Sequence, residues 1–234
     1  MRDKAKESGV DVFMGFNKNV SKFVTKSREY VDAHPNTRVV FLHNNNYKRE
    51  DLGECFERNS EGMLKNMAIH ELALAVTFYG VAVDRIAAVE ADRDYSSCVT
   101  LTGPSGKSSF TDFSRLKFTI RTRDGAEVSI AADRCGGDDS VGIVTDAQGK
   151  ELVRFTMPDK EDAVAIQAAE ERIAGAMPYF YVQDPDYATL KRRVARAVAA
   201  GDAAAAEGVA TIDVAVETLK VAEYLTPILM EQLK

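Results

Sequence analysis

The sequence lacks an excess of positive charge and has few cysteines. Its 234 residues include 30 Lys and Arg against 36 Asp and Glu, which gives a net charge of −6. Because phosphate backbones are bound by basic faces, this balance argues against a nucleic-acid partner. Cys55, Cys98 and Cys135 are odd in number and widely spaced, with no C-x-x-C pair. We therefore expect neither a disulfide framework nor a zinc site, and a cytoplasmic location fits best.

Long hydrophobic runs are also absent. No apolar stretch reaches the length of a membrane span, and the first residues, Met-Arg-Asp-Lys-Ala-Lys-Glu, are too polar for a secretory signal. We therefore expect no membrane partner. With 45% hydrophobic and 28% charged residues, the composition is that of an ordinary globular protein. The length suits one large domain, or one domain and part of another.

The densest apolar segment, residues 61–80, carries polar side chains at regular spacing. Its pattern predicts a single helix that is buried over most of its surface. Asn66 and His70 are four positions apart, so at about 100° per residue they share one face, with Lys65 and Glu71 beside them. Such an amide and imidazole either satisfy each other in the core or line a pocket.

The first part of the chain predicts a helix, a strand and a second helix. Residues 2–8 form a charged helix that ends at Gly9, and residues 10–16 form a short buried strand. The turn Gly15-Phe16-Asn17-Lys18-Asn19 then begins a helix over residues 20–33. Asn17 is either an N-terminal cap or a substrate contact.

Short runs rich in Val, Ile, Phe and Thr predict a sheet. Residues 37–42 form its first strand, and the polar residues 43–47 that follow are either a turn or a loop that reaches a site. Turn signals separate six further strands, which predicts an antiparallel meander: 85–90, 97–102, 116–122, 127–132, 141–145 and 152–155. Residues 103–108, Gly-Pro-Ser-Gly-Lys-Ser, have the wrong glycine spacing for a phosphate loop and predict a hairpin loop.

Helices dominate the last part of the chain. Residues 159–176, 186–200 and 211–225 read as helices, with 178–185 as a connector and Pro227 as a break.

Several of these motifs resemble those of one family, which comprises glucose–fructose oxidoreductase, inositol dehydrogenase and MocA. Gly62, Asn66 and His70, followed by Gly80, are similar to the G-x-x-x-D-x-x-x-H helix of these nicotinamide-dependent sugar and polyol dehydrogenases. The turn at residues 15–19 resembles the Gly-aromatic-Asn-basic-Arg turn that ends the family's nucleotide-binding domain. The order of crossover helix, strand, His-bearing helix and meander is also that of the family's C-terminal domain.

The resemblance implies an α+β fold in which an open, mainly antiparallel β-sheet carries helices on one face. A helix and strand remaining from a Rossmann domain would precede it, as residues 1–19, with residues 20–234 as the substrate and oligomerisation domain. His70 is the implied catalytic residue, as proton acceptor or as hydrogen-bonding partner of a substrate hydroxyl. The implied substrate contacts are Asn66, Lys18, Asn17 and Lys65. Asn66 replaces the family's aspartate, and an amide cannot raise the pKa of an imidazole as a carboxylate does.

NAD or NADP is the implied cofactor, but the motifs that hold it are not in the sequence. There is no G-x-G-x-x-G and no Glu-Lys-Pro, so no helix N-terminus is prepared for a pyrophosphate. One hypothesis is the C-terminal portion of an NAD(P)-dependent oxidoreductase of CH–OH donors, inactive alone. The other is a cofactor-free binding or assembly module. The implied partners are a small polar hydroxylated substrate and a second copy of the chain, bound through the sheet face.

Overall fold

One mixed sheet of seven strands organises the chain. The computed structural model describes all 234 residues. The strands are β1 (Arg38–Asn44), β2 (Ile86–Ala91), β3 (Ser97–Thr102), β4 (Ser109–Thr122), β5 (Glu127–Asp133), β6 (Ser140–Thr145) and β7 (Glu151–Met157). Their order is β2-β4-β5-β1-β6-β7, and β3 pairs with a separate stretch of β4. The β1–β5 pair is parallel and all the others are antiparallel. The predicted open, mainly antiparallel sheet is confirmed, although β1 lies inside the meander.

Eight α-helices accompany the sheet. They are α1 (Arg2–Ser8), α2 (Lys22–Ala33), α3 (Leu52–Arg58), α4 (Met63–Asn66), α5 (Ile69–Tyr79), α6 (Ala163–Arg172), α7 (Pro178–Ala200) and α8 (Ile212–Gln232). None of them combines the length and the apolar run that crossing a membrane needs.

The alternation of side chains along β4 shows why helices cover only one face. Leu116, Phe118 and Ile120 are buried in the main core, whereas Arg115 and Arg121, on the opposite face of the strand, are exposed. The same core contains apolar residues of α2, α5 and α8. The chain is therefore an α+β fold with helices on one face of an open sheet, as the sequence predicted. The loop between β3 and β4 is the predicted hairpin.

The predicted central helix is wrong in one respect, because residues 61–80 form two helices. Gly62 has φ of 89°, which favours glycine, and α4 begins directly after it. Met67 and Ala68 separate α4 from α5, and the Ala68 amide bonds back to the Met63 carbonyl rather than four residues back. The regular 3.6-residue period is interrupted there. The expected alignment of Asn66 with His70 on one face is therefore lost.

The predicted strand at residues 10–16 is also wrong. Helix α1 and its stop at Gly9 are as predicted, but Val10 is 59% exposed. The segment makes only an isolated bridge, between Phe13 and Thr211, flanked by hydrogen bonds to the residues that lead into α8. Its apolar side chains pack beside that segment instead of entering the sheet.

Pro185 lies inside α7 and Pro227 lies inside α8, and neither interrupts its helix, which corrects two predictions. Residues 178–185, predicted as a connector, are the first turns of α7, with Pro178 at a position where a helix tolerates proline well. Helix α8 continues through Pro227. The correction matters for the site, because the first turns of α7 carry Gln183 and Asp186 into the interior.

Candidate functional site

A buried polar turn lies where helices α5 and α7 meet the start of α2. Residues Asn17–Val20 form a short 3-10 helix, and Asn17, Lys18 and Asn19 are each at most 3% exposed. The Asn17 amide donates to Gln183 Oε1 at 3.2 Å, and the Asn19 amide donates to Thr77 Oγ1 at 2.8 Å. The cap of α2 is Ser21 rather than Asn17. The capping interpretation of Asn17 is therefore wrong.

Lys18 and Glu71 form a buried ion pair at the centre of this cluster. Lys18 Nζ lies 2.6 Å from Glu71 Oε1, and both side chains are at most 2% exposed. Burial lowers the pKa of Lys18, while Glu71 opposes that shift. Burial disfavours ionisation of Glu71, but Lys18 and His43 outweigh it, so the pKa of this carboxyl is lowered. Each group therefore favours the charged form of the other, since Glu71 opposes the loss of the Lys18 proton and Lys18 favours the ionised carboxylate.

His43 adjoins the same carboxylate. The sequence placed it only at the start of residues 43–47, predicted as either a turn or a loop that reaches a site. Its Nδ1 lies 3.1 Å from the Met67 carbonyl and 3.4 Å from Glu71 Oε2. The carbonyl takes the hydrogen bond, and Glu71 adds a charge contact. The interruption between α4 and α5 turns the Met67 carbonyl toward this ring. Because the sequence predicts a helix without a break, it gave no signal that the Met67 carbonyl would face His43.

His70 lies beside the pair, half-buried against Phe16. The two rings meet edge to face, with 5.5 Å between their centroids, and His70 Nδ1 is buried without a hydrogen-bond partner. Burial and the nearby Lys18 cation lower the pKa of His70 to about 4, although Glu71 opposes this. His70 is therefore neutral at pH 7 and can accept a hydrogen bond or a proton.

Helix α7 contributes two buried polar residues that sequence reasoning missed. Gln183 is 3% exposed and Asp186 is 5% exposed, and each has one polar atom without a partner, Nε2 and Oδ2 respectively. Burial raises the pKa of Asp186 to about 7, with Ser21 opposing and Asp162 adding to the shift. The sequence predicts a connector at Gln183 and the first residue of a helix at Asp186, and neither prediction places these side chains in the interior.

Replacing Asp186 with Asn is expected to remove a pH dependence of stability. A carboxyl with a folded-state pKa of about 7 stabilises the fold fully below about pH 4 and loses that contribution as pH rises to 7. Relative to the parent, D186N should therefore gain about 2–4 kcal/mol in unfolding free energy between pH 4 and pH 8. Urea titrations of both proteins across this range measure the difference. Parallel curves of unfolding free energy against pH for the two proteins would contradict the expectation.

The structure does not bring the other two predicted residues into this cluster. Asn66 is exposed and donates to Glu61 at 3.1 Å, and Lys65 Nζ contacts Glu223 at 2.8 Å. Of the predicted site residues, Lys18 belongs to the buried pair, and Asn17 and His70 lie beside it. Substrate contacts by Asn66 and Lys65 stay predictions, and they would be made on the surface of α4.

The residues of this chain do not fit a nicotinamide dinucleotide. Its pyrophosphate is held where a glycine-rich turn joins a strand to a helix. The only parallel strand pair joins β1 to β5, and β1 is followed by Asn-Asn-Tyr-Lys rather than by glycines. We therefore derive no step through the cofactor from these residues. No group of three or more His, Cys, Asp or Glu side chains converges to hold a metal ion.

No family model and no curated protein matches the sequence. Solved structures do match the fold. GenD2 from gentamicin A biosynthesis, in complex with NAD, is 18% identical with a TM-score of 0.61, covering 99% of this chain and 64% of that one. A myo-inositol dehydrogenase from Corynebacterium glutamicum is 17% identical with a TM-score of 0.55, covering 94% and 61%. UDP-N-acetylglucosamine 3-dehydrogenase GnnA from Acidithiobacillus ferrooxidans is 12% identical with a TM-score of 0.56, covering 99% and 66%.

The chain has the fold of the C-terminal part of these dehydrogenases. The predicted likeness to the glucose–fructose oxidoreductase, inositol dehydrogenase and MocA family is thus confirmed at the level of fold. The dehydrogenase-like fold extends over nearly all of this chain and spans somewhat less than two thirds of each of these proteins.

Proposed function

We propose that the chain is the C-terminal, substrate-binding portion of an NAD(P)-dependent oxidoreductase that acts on the CH–OH group of a small hydroxylated substrate. Two observations support this. The dehydrogenase-like fold extends over nearly the whole chain. Within that fold, two imidazoles lie beside the buried Lys18–Glu71 pair. A purely structural core does not require so many ionisable side chains.

The single observation that carries the proposal is the state of His70. His70 is half-buried and neutral at pH 7, so its ring can contact a substrate hydroxyl as acceptor. In the proposal Lys18 supplies positive charge near the hydroxyl oxygen, and Asn17 holds the turn against α7. Domain limits at residues 1–19 and 20–234 stay a prediction.

We further propose that these residues alone are catalytically inactive. NAD or NADP would be supplied by a nucleotide-binding half, since the G-x-G-x-x-G loop and Glu-Lys-Pro are not among these residues. The chain would then bind substrate without oxidising it.

A titration separates substrate binding from cofactor binding. On this chain we expect no change in NADH or NADPH fluorescence, but a rise in melting temperature of about 3 °C or more with myo-inositol at ten times its Kd. In His70→Gln the rise should shrink, while His34→Gln, an exposed histidine outside the cluster, should respond like the parent. Clear NAD(P)H binding, or no response to any polyol, would contradict the proposal.

The outer face of the sheet is the surface through which the second candidate, an assembly module, would act. On this face Arg121 contacts both Glu127 and Glu90, and a depression of about 360 Å³ lies among charged side chains. Homodimerisation through this face and a location in the reducing cytosol stay predictions. Dimerisation is compatible with either candidate function.

A further inference from the structure

A small cleft lies at the end of β1, beside His43. Asn44, Ser140, Tyr179 and Val182 are among its lining residues, and His70 is not. Its volume of about 20 Å³ accommodates one water-sized group. A single hydroxyl oxygen of a ligand is therefore the group that fits beside the ring.

The hydrogen bond of His43 fixes which ring nitrogen is free to act as an acceptor. A carbonyl oxygen can only accept, so the 3.1 Å contact with Met67 places the proton of the neutral ring on Nδ1. The lone pair is then on Nε2, on the other edge of the ring. Because Nδ1 is turned to Met67 and Glu71, Nε2 is the nitrogen left free for a ligand.

Carboxylates lie on two sides of His43. Glu71 Oε2 lies 3.4 Å from Nδ1, and Lys18 fixes the other oxygen of that carboxylate. Asp138 and Asp139 also line the cleft, and Asp139 accepts a hydrogen bond from Asn44 at 2.8 Å. A carboxylate behind an imidazole holds the ring in one tautomer and stabilises the imidazolium when it forms.

We propose that His43, oriented by Glu71, is the imidazole that receives the proton of the substrate hydroxyl, and that His70 only hydrogen-bonds the substrate. In this step the hydroxyl O–H bond breaks, the proton goes to His43 Nε2, and the electron pair stays on the oxygen. Glu71 balances the positive charge that forms. The inference rests on the proposed function, since it assigns the proton acceptor of that same site.

Nitrogen NMR on the ¹⁵N-labelled chain tests the assignment directly. The sequence has only His34, His43 and His70, so single His→Gln variants assign all the imidazole signals. We expect His43 in the Nδ1–H tautomer, and we expect myo-inositol, used as the probe, to shift its Nε2 signal. The exposed His34 is the internal control and should not respond.

An Nε2–H tautomer at His43, or a response confined to His70, overturns this inference and leaves the proposed function standing. If neither His43 nor His70 responds to the polyol, the proposed function fails as well.

Discussion

Replacing Glu71 with Leu is expected to lower the free energy of unfolding by about 3–5 kcal/mol, because it leaves Lys18 as an unpaired charge in the interior. Lys18 Nζ has its charge partner at 2.6 Å and is 2% exposed, so water cannot replace the carboxylate without opening the structure. The effect exceeds that of an exposed ion pair, which contributes at most about 1 kcal/mol.

Urea unfolding at pH 7 measures this loss, and a double variant separates charge from packing. In Lys18→Met combined with Glu71→Leu, both charges are removed and apolar volume is kept, so most of the lost stability should return. If the loss of unfolding free energy in the double variant reaches or exceeds the sum of the losses in the two single variants, the pair is not the source of the loss. The double variant should also lose the response to myo-inositol, because Lys18 belongs to the proposed site.

Replacing Arg134 with Met is the second substitution with a large expected effect. Arg134 is fully buried and contacts Asp112 Oδ2 at 2.7 Å, Cys55 Sγ at 3.1 Å and the Phe113 carbonyl at 3.3 Å. Asp112 in turn accepts from the Met63 amide at 3.0 Å, so the pair attaches the start of α4 to β4. Loss of the guanidinium leaves a buried carboxylate, and the free energy of unfolding should fall by about 3–5 kcal/mol.

Arg121→Met is the matched control for this experiment. Arg121 also pairs with a carboxylate on the sheet, Glu127, but its side chain is 46% exposed on the outer face. Its replacement should lower stability by about 1 kcal/mol or less. Similar losses in the two variants would show that burial of the Arg134 pair does not determine its contribution.

Much of the secondary structure followed from patterns that are local in the sequence. Strands β2, β3, β5 and β6 fall where apolar alternation and turn residues predicted them, because one face of each strand must reach the core. The break between α4 and α5 could not be predicted, since Met67 and Ala68 are ordinary helix residues. The continuation of α7 and α8 through proline was missed for the opposite reason, because local preference argues against it.

Around the candidate site, the sequence indicated residue types but not their partners. His70, Asn17 and Lys18 were recognised from motif spacing, and the structure does bring them together. Glu71 was named only as a neighbour on the helix. Its ion pair with Lys18 joins residues 53 positions apart, which no periodicity encodes.

The sequence by itself determined the α+β class, the positions of most strands and the resemblance to a dehydrogenase domain, because hydrophobic periodicity and motif spacing depend on neighbouring residues. Only the tertiary structure decided which ionisable groups meet. Helix α7, the turn at Asn17–Val20 and the break after α4 enclose Lys18 and Glu71 away from water. Exclusion of water is what shifts the pKa of His70 and Asp186, and it depends on packing between distant segments.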